Sequence, residues 1–391
     1  MKRDAALTIG LPSADGIEAY PVHEPREFAR PARAFNRVAF AAAHVVADPL
    51  SPREPWLEQA IDWDATLEFR QHLWSYGFGV AEAMDTAQRG MGVDWPHSLE
   101  LITRTLDAAR GVEGARVASG AGTDQLMPHA ETTIAQVIAA YEEQCSAIER
   151  LGGRIILMAS RALAACAKSP EDYAHVYDRI LGQVREPVII HWLGEMFDPA
   201  LAGYWGHRDD THGMKVCLDV IRRNAAKVDG IKVSLLDKDK EIAMRRQLPP
   251  NVRMYTGDDF NFAELIAGDA QGHSDALLGI LDAIAPAASH ALSALAAGDR
   301  AAYDAALAPT VPLSRHIFSA PTRFYKTGIV FLAWLNGHQR HFVMVGGQQS
   351  ARNVLHLAEL FRLADAAGLL RDPALAVARM RHLLAVQGID A

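Results

Sequence analysis

The chain has 391 residues, of which 50% are apolar, 22% charged and 7% aromatic; 39 Lys and Arg against 47 Asp and Glu leave a formal charge of −8. That apolar share excludes a disordered chain, and the negative balance argues against a module that neutralises nucleic-acid phosphates. The 3 cysteines, Cys145, Cys166 and Cys217, are too few and odd in number for a disulfide framework, which points to a reducing compartment.

The opening residues, MKRDAALTIG, lack the apolar stretch of a signal peptide. The strongly apolar run 328–335 is far short of the ~20 residues that cross a bilayer. The expectation is a cytoplasmic protein with no membrane or nucleic-acid partner. Residues 1–37 carry Pro12, Pro21, Pro25 and Pro31 without a clear period. They read as an N-terminal arm, loose, packed, or laid on a neighbouring subunit.

From residue 38 the pattern changes. Strand-length apolar runs alternate with segments of helical period. The runs are AFAAAHVV, FGVAEAM, ARVAS, GRIILMA, PVIIHW, DGIKVSLL, VRMYT and DALLGIL. Helical period marks 65–76, 98–109, 129–151 and 170–184. Eight strands alternating with helices over about 250 residues indicate an α/β fold, a closed (β/α)8 barrel over 38–286. An open doubly wound sheet would carry a glycine-rich phosphate turn after its first strand. Gly120-Ala121-Gly122 follows the third strand instead and lacks the third glycine. Residues 287–391 form an alanine-rich helical extension, with helices over 287–297, 300–307, 311–318 and 353–367. Gly298-Asp299 and Gly368 serve as helix stops.

The run Asp229-Gly230-Ile231-Lys232-Val233-Ser234-Leu235 holds the main chemical signal. Ile231, Val233 and Leu235 share one strand face, and Lys232 and Ser234 share the other. With the apolar face against helices, Lys232 points into the barrel. Burial lowers a lysine's pKa, and a neutral amine attacks carbonyls to give a Schiff base. A salt-bridged lysine at a strand end is the plain alternative. In the preceding run, Val188 and Ile190 would face the helices, which turns His191 inward near the strand's C-terminal end. Active sites of this fold lie at that end, and histidine transfers protons near neutral pH.

These residues resemble the dihydrodipicolinate synthase and N-acetylneuraminate lyase family, class I aldolases on (β/α)8 barrels with a helical extension. The resemblance runs from about residue 38 to 370. Gly230-Ile231-Lys232-Val233-Ser234 resembles the strand bearing the Schiff-base lysine. Tyr255-Thr256-Gly257-Asp258-Asp259 resembles the next strand and its Gly-Asp-Asp turn. Ala285-Pro286, Gly298-Asp299, and Ile61-Asp62 with Gly77-Phe78-Gly79 follow in matching order. The resemblance implies a lyase or aldolase with Lys232 as nucleophile, no organic cofactor, a small carbonyl substrate, and a homodimer or homotetramer.

The chain also departs from the family. Where the family's fifth strand ends in tyrosine-asparagine, with the tyrosine relaying protons, this chain has His191-Trp192. Leu193-Gly194-Glu195-Met196-Phe197 offers no arginine for a substrate carboxylate. The family's Gly-Thr-Thr-Gly-Glu carboxylate loop corresponds to Met84-Asp85-Thr86-Ala87-Gln88. Asp85 would repel a carboxylate there. A sugar-derived ketone therefore fits better than pyruvate, with Asp85, Thr86 and Gln88 meeting hydroxyls. Ser234, Asp259 and Tyr204 complete the expected substrate-binding set, and Tyr204 could replace the missing relay.

The segment GYWGHRDDTHG reads as an insertion covering the barrel top. Its His207, Asp209, Asp210 and His212 have metal-ligand chemistry, though no standard spacing. Convergence of these with His44, Asp48, Asp259 and His191 would instead make a divalent-metal sugar isomerase or epimerase. A catalytically silent binding barrel is the third reading, with Lys232 held by a lumen carboxylate. Asp237-Lys238-Asp239-Lys240-Glu241 reads as a solvated loop or helix start, Lys326 as structural, and Gly346-Gly347-Gln348 as a turn.

Overall fold

All eight apolar runs form strands, and the eight close into one parallel barrel. The computed structural model describes residues 7–31 and 34–390. Two strands precede the barrel: β1 (Thr8–Ser13) and β2 (Gly16–Pro21) make an antiparallel hairpin. The barrel strands are β3 (Ala39–Ala42), β4 (Gly79–Glu82), β5 (Val117–Ala121), β6 (Arg154–Met158), β7 (Val188–Leu193), β8 (Val228–Ser234), β9 (Arg253–Thr256) and β10 (Asp275–Leu278), with β10 returning to pair with β3. Between and after them lie α1 (Trp63–Ser75), α2 (Trp95–Ala109), α3 (Ile134–Arg150), α4 (Arg161–Cys166), α5 (Pro170–Gln183), α6 (Asp210–Arg223), α7 (Lys238–Arg245), α8 (Phe262–Ala267), α9 (Ile280–Ala283) and α10 (Ala285–Ala296). The extension continues as α11 (Arg300–Leu307), α12 (Thr310–Ile317), α13 (Tyr325–Leu335), α14 (Val354–Ala366) and α15 (Pro373–Val386).

The helix starts follow from side-chain caps. Asp62, Asp94, Ser160, Asp209, Asp237 and Asp299 each accept a backbone N–H of the first turn, and Thr133 closes a capping box with Gln136.

Strand parity sorts the core into two layers. Ala39, Val80, Val117, Ile155, Val188, Ile190, Ile231, Val233 and Met254 pack outward against the helices. Phe40, Ala118, Ile156, Ile189, Tyr255 and Leu277 fill the lumen. The lumen plug depends on glycine: a Cβ on Gly79 would lie 2.5 Å from the Phe40 ring, and one on Gly230 would lie 2.6 Å from the Tyr255 ring. Bulky residues on β3 and β9 therefore need bare neighbours on β4 and β8. The plug narrows the lumen toward its N-terminal end, where Phe40, Arg116, Arg154, Asp229, Arg253 and Tyr255 line a cavity of about 130 Å³; active sites of this fold lie at the opposite, C-terminal end. Behind β4, Arg70 of α1 grips Glu82 with two 2.9 Å bonds, both side chains fully buried.

Of the alternatives for the arm the structure has the packed one, and one expectation, for Glu241, is corrected. The arm is folded over Thr8–Pro21: Ile9 and Leu11 are buried, and Tyr20 donates to Asp365 of α14 at 2.8 Å. Glu241, expected in a solvated stretch, is fully buried, because it is the one position of α7's first turn that faces β9 and β10, where Ser274 donates to it at 2.7 Å. The apolar run 328–335 belongs to α13, a helix buried on every side. Among the described residues no helix is long and apolar enough to cross a membrane.

Candidate active site

Lys232 leaves β8 on the lumen face, two positions before the strand's end. Its register partners are His191 on β7 and Tyr255 on β9. It is 7% exposed, and no carboxylate lies within 4 Å of it among the described residues. Burial pulls its ammonium below the usual lysine range, while Asp259 and then Asp85 oppose that shift. The side chain runs over Gly257, where a Cβ would lie 2.2 Å from Ser234 Oγ and 2.8 Å from Lys232 Cε. The glycine of the Tyr255-Thr256-Gly257-Asp258-Asp259 segment thus leaves room for Ser234, the Val233 carbonyl and Lys232 together.

Asp259 stands on the turn after β9, and its carboxylate accepts the Ile280 N–H at 2.9 Å. Burial raises its pKa to about 7, against the pull of that bond and of Lys232. His191 is fully buried; its Nε2 lies 3.3 Å from Ser234 Oγ, and Nδ1 has no partner. Burial, then the charge of Lys232, hold its imidazole neutral, well below the usual histidine range. His191 also lines a narrow cavity of about 70 Å³ at the barrel mouth, with Asp85, Arg89, Met158, Arg161 and Asp198.

The loop after β4 tightens into a single 3-10 turn, Asp85–Ala87, between left-handed residues Ala83 (φ 52°) and Gln88 (φ 61°). This turn presents Asp85 and Thr86 differently. Asp85 has no ion-pair partner among the described residues and is felt by Lys232. The Thr86 hydroxyl lies 2.8 Å from the hydroxyl of Tyr325. Tyr325 enters from the start of α13, stacked on Phe318 with centroids 4.4 Å apart. Burial, and then Asp85, keep its phenol protonated. Sequence reasoning missed Tyr325, which is 239 positions from Thr86; the aromatic pair Phe324-Tyr325 before Lys326 was the available signal.

The structure thus brings together Lys232, His191, Ser234, Asp259, Asp85 and Thr86, and it sets two expected residues apart. Gln88 turns away from the cavity and donates to the Val345 carbonyl at 2.7 Å, tying the loop to the extension. The left-handed Gln88 backbone sends that side chain outward. The Tyr204 hydroxyl is buried 3.0 Å from that of Tyr177 and accepts the Ser160 N–H at 3.0 Å. Tyr204 and Trp205 pack on α5, so their segment is a wall between helices and not a cover over the barrel. Asp198, just upstream, reaches the mouth and pairs with Arg161.

The residues of the metal alternative do not converge. Asp209 caps α6 and holds His212 at 2.6 Å, Asp210 pairs with Lys240, Asp48 accepts the Leu50 N–H, and His44 pairs with Asp282 at 2.8 Å. No group of three His, Cys, Asp or Glu able to hold a metal ion occurs among the described residues.

The closed barrel and its helical extension share the fold of the dihydrodipicolinate synthases. YagE, an Escherichia coli K12 prophage protein of that family solved with pyruvate, superposes with a TM-score of 0.63 at 11% identity, over 91% of this chain and 100% of its own. The Acinetobacter baumannii dihydrodipicolinate synthase with pyruvate gives 0.61 at 16% identity, covering 85% and 99%. The lysine-bound enzyme of Cyanidioschyzon merolae gives 0.61 at 15%, covering 85% and 98%. No curated protein matches the chain. Within this fold the chain belongs to DUF993, described as a protein family of unknown function, whose pattern matches residues 9–389.

Proposed function

We propose that this protein is a Schiff-base-forming lyase or aldolase that acts on a hydroxylated keto compound. The observation that carries the reading is Lys232: buried in the lumen at the catalytic end, with its pKa lowered and no carboxylate in contact. A silent barrel with a salt-bridged lysine would need that contact.

The Lys232 amine adds to the substrate carbonyl carbon. Asp259, titrating near neutrality, protonates the departing hydroxyl, and loss of water leaves an iminium. Neutral His191 takes the proton from a substrate hydroxyl. The carbon–carbon bond then breaks, and its electron pair enters the enamine conjugated to nitrogen. Tyr325, hydrogen-bonded to Thr86, supplies the hydroxyl that returns a proton to carbon. Water hydrolyses the new iminium and frees the amine. Pyruvate is disfavoured because the Asp85 charge acts on Lys232 and the Thr86 hydroxyl is already engaged by Tyr325. The same chemistry assigns the protein to small-molecule metabolism, with no organic cofactor required.

Borohydride reduction in the presence of keto compounds, followed by intact mass and peptide mapping, tests this. The expected result is a reduced adduct on Lys232 that Lys232→Ala lacks. No adduct across keto acids and keto sugars would overturn the reading.

A further inference from the structure

A cavity of about 620 Å³ opens on the flank of the barrel, between α1, α9, α10, the end of α13 and residues 25–29 of the arm. That volume is ample for a small organic ligand. It shares no lining residue with the cavity at the barrel mouth. The arm is fastened across it: the Arg26 N–H donates to the Gly368 carbonyl at 3.0 Å, and Arg26 Nη1 donates to the Ala305 carbonyl at 3.1 Å.

The walls are rings and nitrogen donors in successive contact. The Phe69 ring lies 4.3 Å from that of His44 and 5.1 Å from that of His338. His72 lies 4.3 Å from His338 and 5.1 Å from Tyr76. Arg371 Nη1 comes within 3.5 Å of His338 Nε2. On the arm side, Arg26 stands 5.2 Å from the centre of the Phe28 ring, which is 6.0 Å from His290. Neither Arg26 nor Arg371 has a carboxylate within 4 Å among the described residues. The imidazoles of His72 and His290 make no hydrogen bond there either.

Asp282 marks the other end. Its side chain is fully buried, and Oδ2 takes both the His44 N–H and His44 Nδ1, each at 2.8 Å. Oδ1 has no partner among the described residues. A buried acceptor left in that state is costly, and a ligand donor removes the cost. Between Asp282 and Arg371 stand the rings of His44, Phe69 and His338, so the acceptor and the guanidinium are well apart. Burial, and after it Arg371, hold His72 neutral, with a pKa of about 4. A neutral imidazole offers one donor and one acceptor, as a hydroxyl does, whereas an ammonium only donates. Guanidinium matches carboxylate in its planar geometry. Glu27 and Asp282 belong to the same lining and offset the two arginines, so one negative charge fits better than the two of a phosphate.

We propose that this cavity is a second ligand site, separate from the Schiff-base site, for a small ring-shaped carboxylic acid that carries hydroxyls. The carboxylate meets Arg26 and Arg371, the hydroxyls meet Asp282 and His72, and the C–H face of the ring lies on Phe28 and Tyr76.

Calorimetry on the full chain with methyl β-glucuronide tests this, because its locked ring has no carbonyl for Lys232. The glucuronide should bind about ten-fold or more tighter than methyl β-glucoside, the worth of a charge-assisted hydrogen bond. Arg371→Gln, at an exposed side chain, should remove that preference, and Asp282→Asn should weaken both sugars. Lys232→Ala should leave the binding unchanged. No glucuronide binding, equal binding of the glucoside, or a preference that survives Arg371→Gln overturns the site. Inorganic phosphate binding as tightly overturns the ligand class, and loss of binding in Lys232→Ala places the sugar at the barrel mouth and overturns the separate site. The Schiff-base reading stands or falls by reductive trapping alone.

Discussion

At the scale of single residues, the site is a set of charges held out of contact. Asp259 and Lys232 oppose each other's desolvation without forming an ion pair within 4 Å. The negative form of Asp259 raises the lysine's pKa, so Asp259→Asn lets the amine deprotonate at lower pH. The acid limb of the trapping rate should move to lower pH; an unmoved limb would assign that limb to another group. Tyr325→Phe removes one hydroxyl and keeps the stacking on Phe318. It should leave the Lys232 adduct in place but slow deuterium exchange at the carbon beside the carbonyl by roughly 10²-fold, read by proton NMR. Equal slowing of trapping and exchange would mean that the hydroxyl only shapes the site. The lysine itself was legible because side-chain parity within one strand is a local property. Tyr325 was not, because its place depends on how a distant helix packs over the barrel. Gln88 and Tyr204 misled for a related reason: loop residues beside strand ends have no parity rule, and backbone turns decided their direction.

At the scale of elements, the strands were readable because a parallel strand is covered on both faces and appears as a short unbroken apolar run. Helix starts were readable from their caps. What the pattern hid was which polar residue of an amphipathic turn goes inward, and α7 shows this. Its run of alternating charges reads as solvated, yet Glu241 docks the helix against Ser274 and β9 with one oxygen unpartnered. Burial lifts its pKa from 4.5 to about 8. Between those values the folded state holds a proton that the unfolded state has lost, so stability falls as pH rises from about 4.5 to 8 and is flat beyond. Glu241→Gln keeps an acceptor for Ser274 and removes the titration. Its stability relative to wild type should grow across that window, by at most on the order of 4 kcal/mol. Urea unfolding at pH 5 and pH 8 reads this; a difference constant with pH would mean that Glu241 is ionised in the folded state throughout. Arg70 works in the opposite direction. Arg70→Leu strands the Glu82 carboxylate behind β4, where only Thr105 (2.6 Å) and the Ala83 N–H (2.9 Å) remain as donors. It should destabilise by ~3–5 kcal/mol, in a melt compared with the wild type at the same pH.

At the scale of the whole molecule, the extension and the hairpin are joined to the site through one line of packing. The β1–β2 hairpin lies on α14: Arg362 donates to the Leu11 and Pro12 carbonyls, each at 3.2 Å, and Arg381 of α15 donates to Thr8 at 2.9 Å. Buried Asp365 receives Tyr20 and the His23 N–H, with the His23 ring at 2.5 Å. On its other side α14 meets α13 so closely that a Cβ on Gly328 would lie 2.9 Å from Leu360 Cδ1. α13 in turn delivers Tyr325 and Lys326. The sequence did hold a trace of the hairpin, Ile9 and Leu11 in alternation before Asp15-Gly16, but two strands without a visible partner face do not announce where they dock. Removing residues 1–24 uncovers Ile9's and Leu11's contact surface and leaves the Asp365 carboxylate buried without its donors. Those losses together are on the order of 5 kcal/mol, so the urea midpoint should fall clearly. The Gly328–Leu360 contact survives the deletion, and with it the placement of α13. At low temperature, where the shortened chain stays folded, trapping on Lys232 should therefore proceed as in the full chain. An unchanged urea midpoint would show that the hairpin adds nothing to stability. A folded chain that no longer forms the adduct would show instead that α14 holds α13 in place only while the hairpin holds α14.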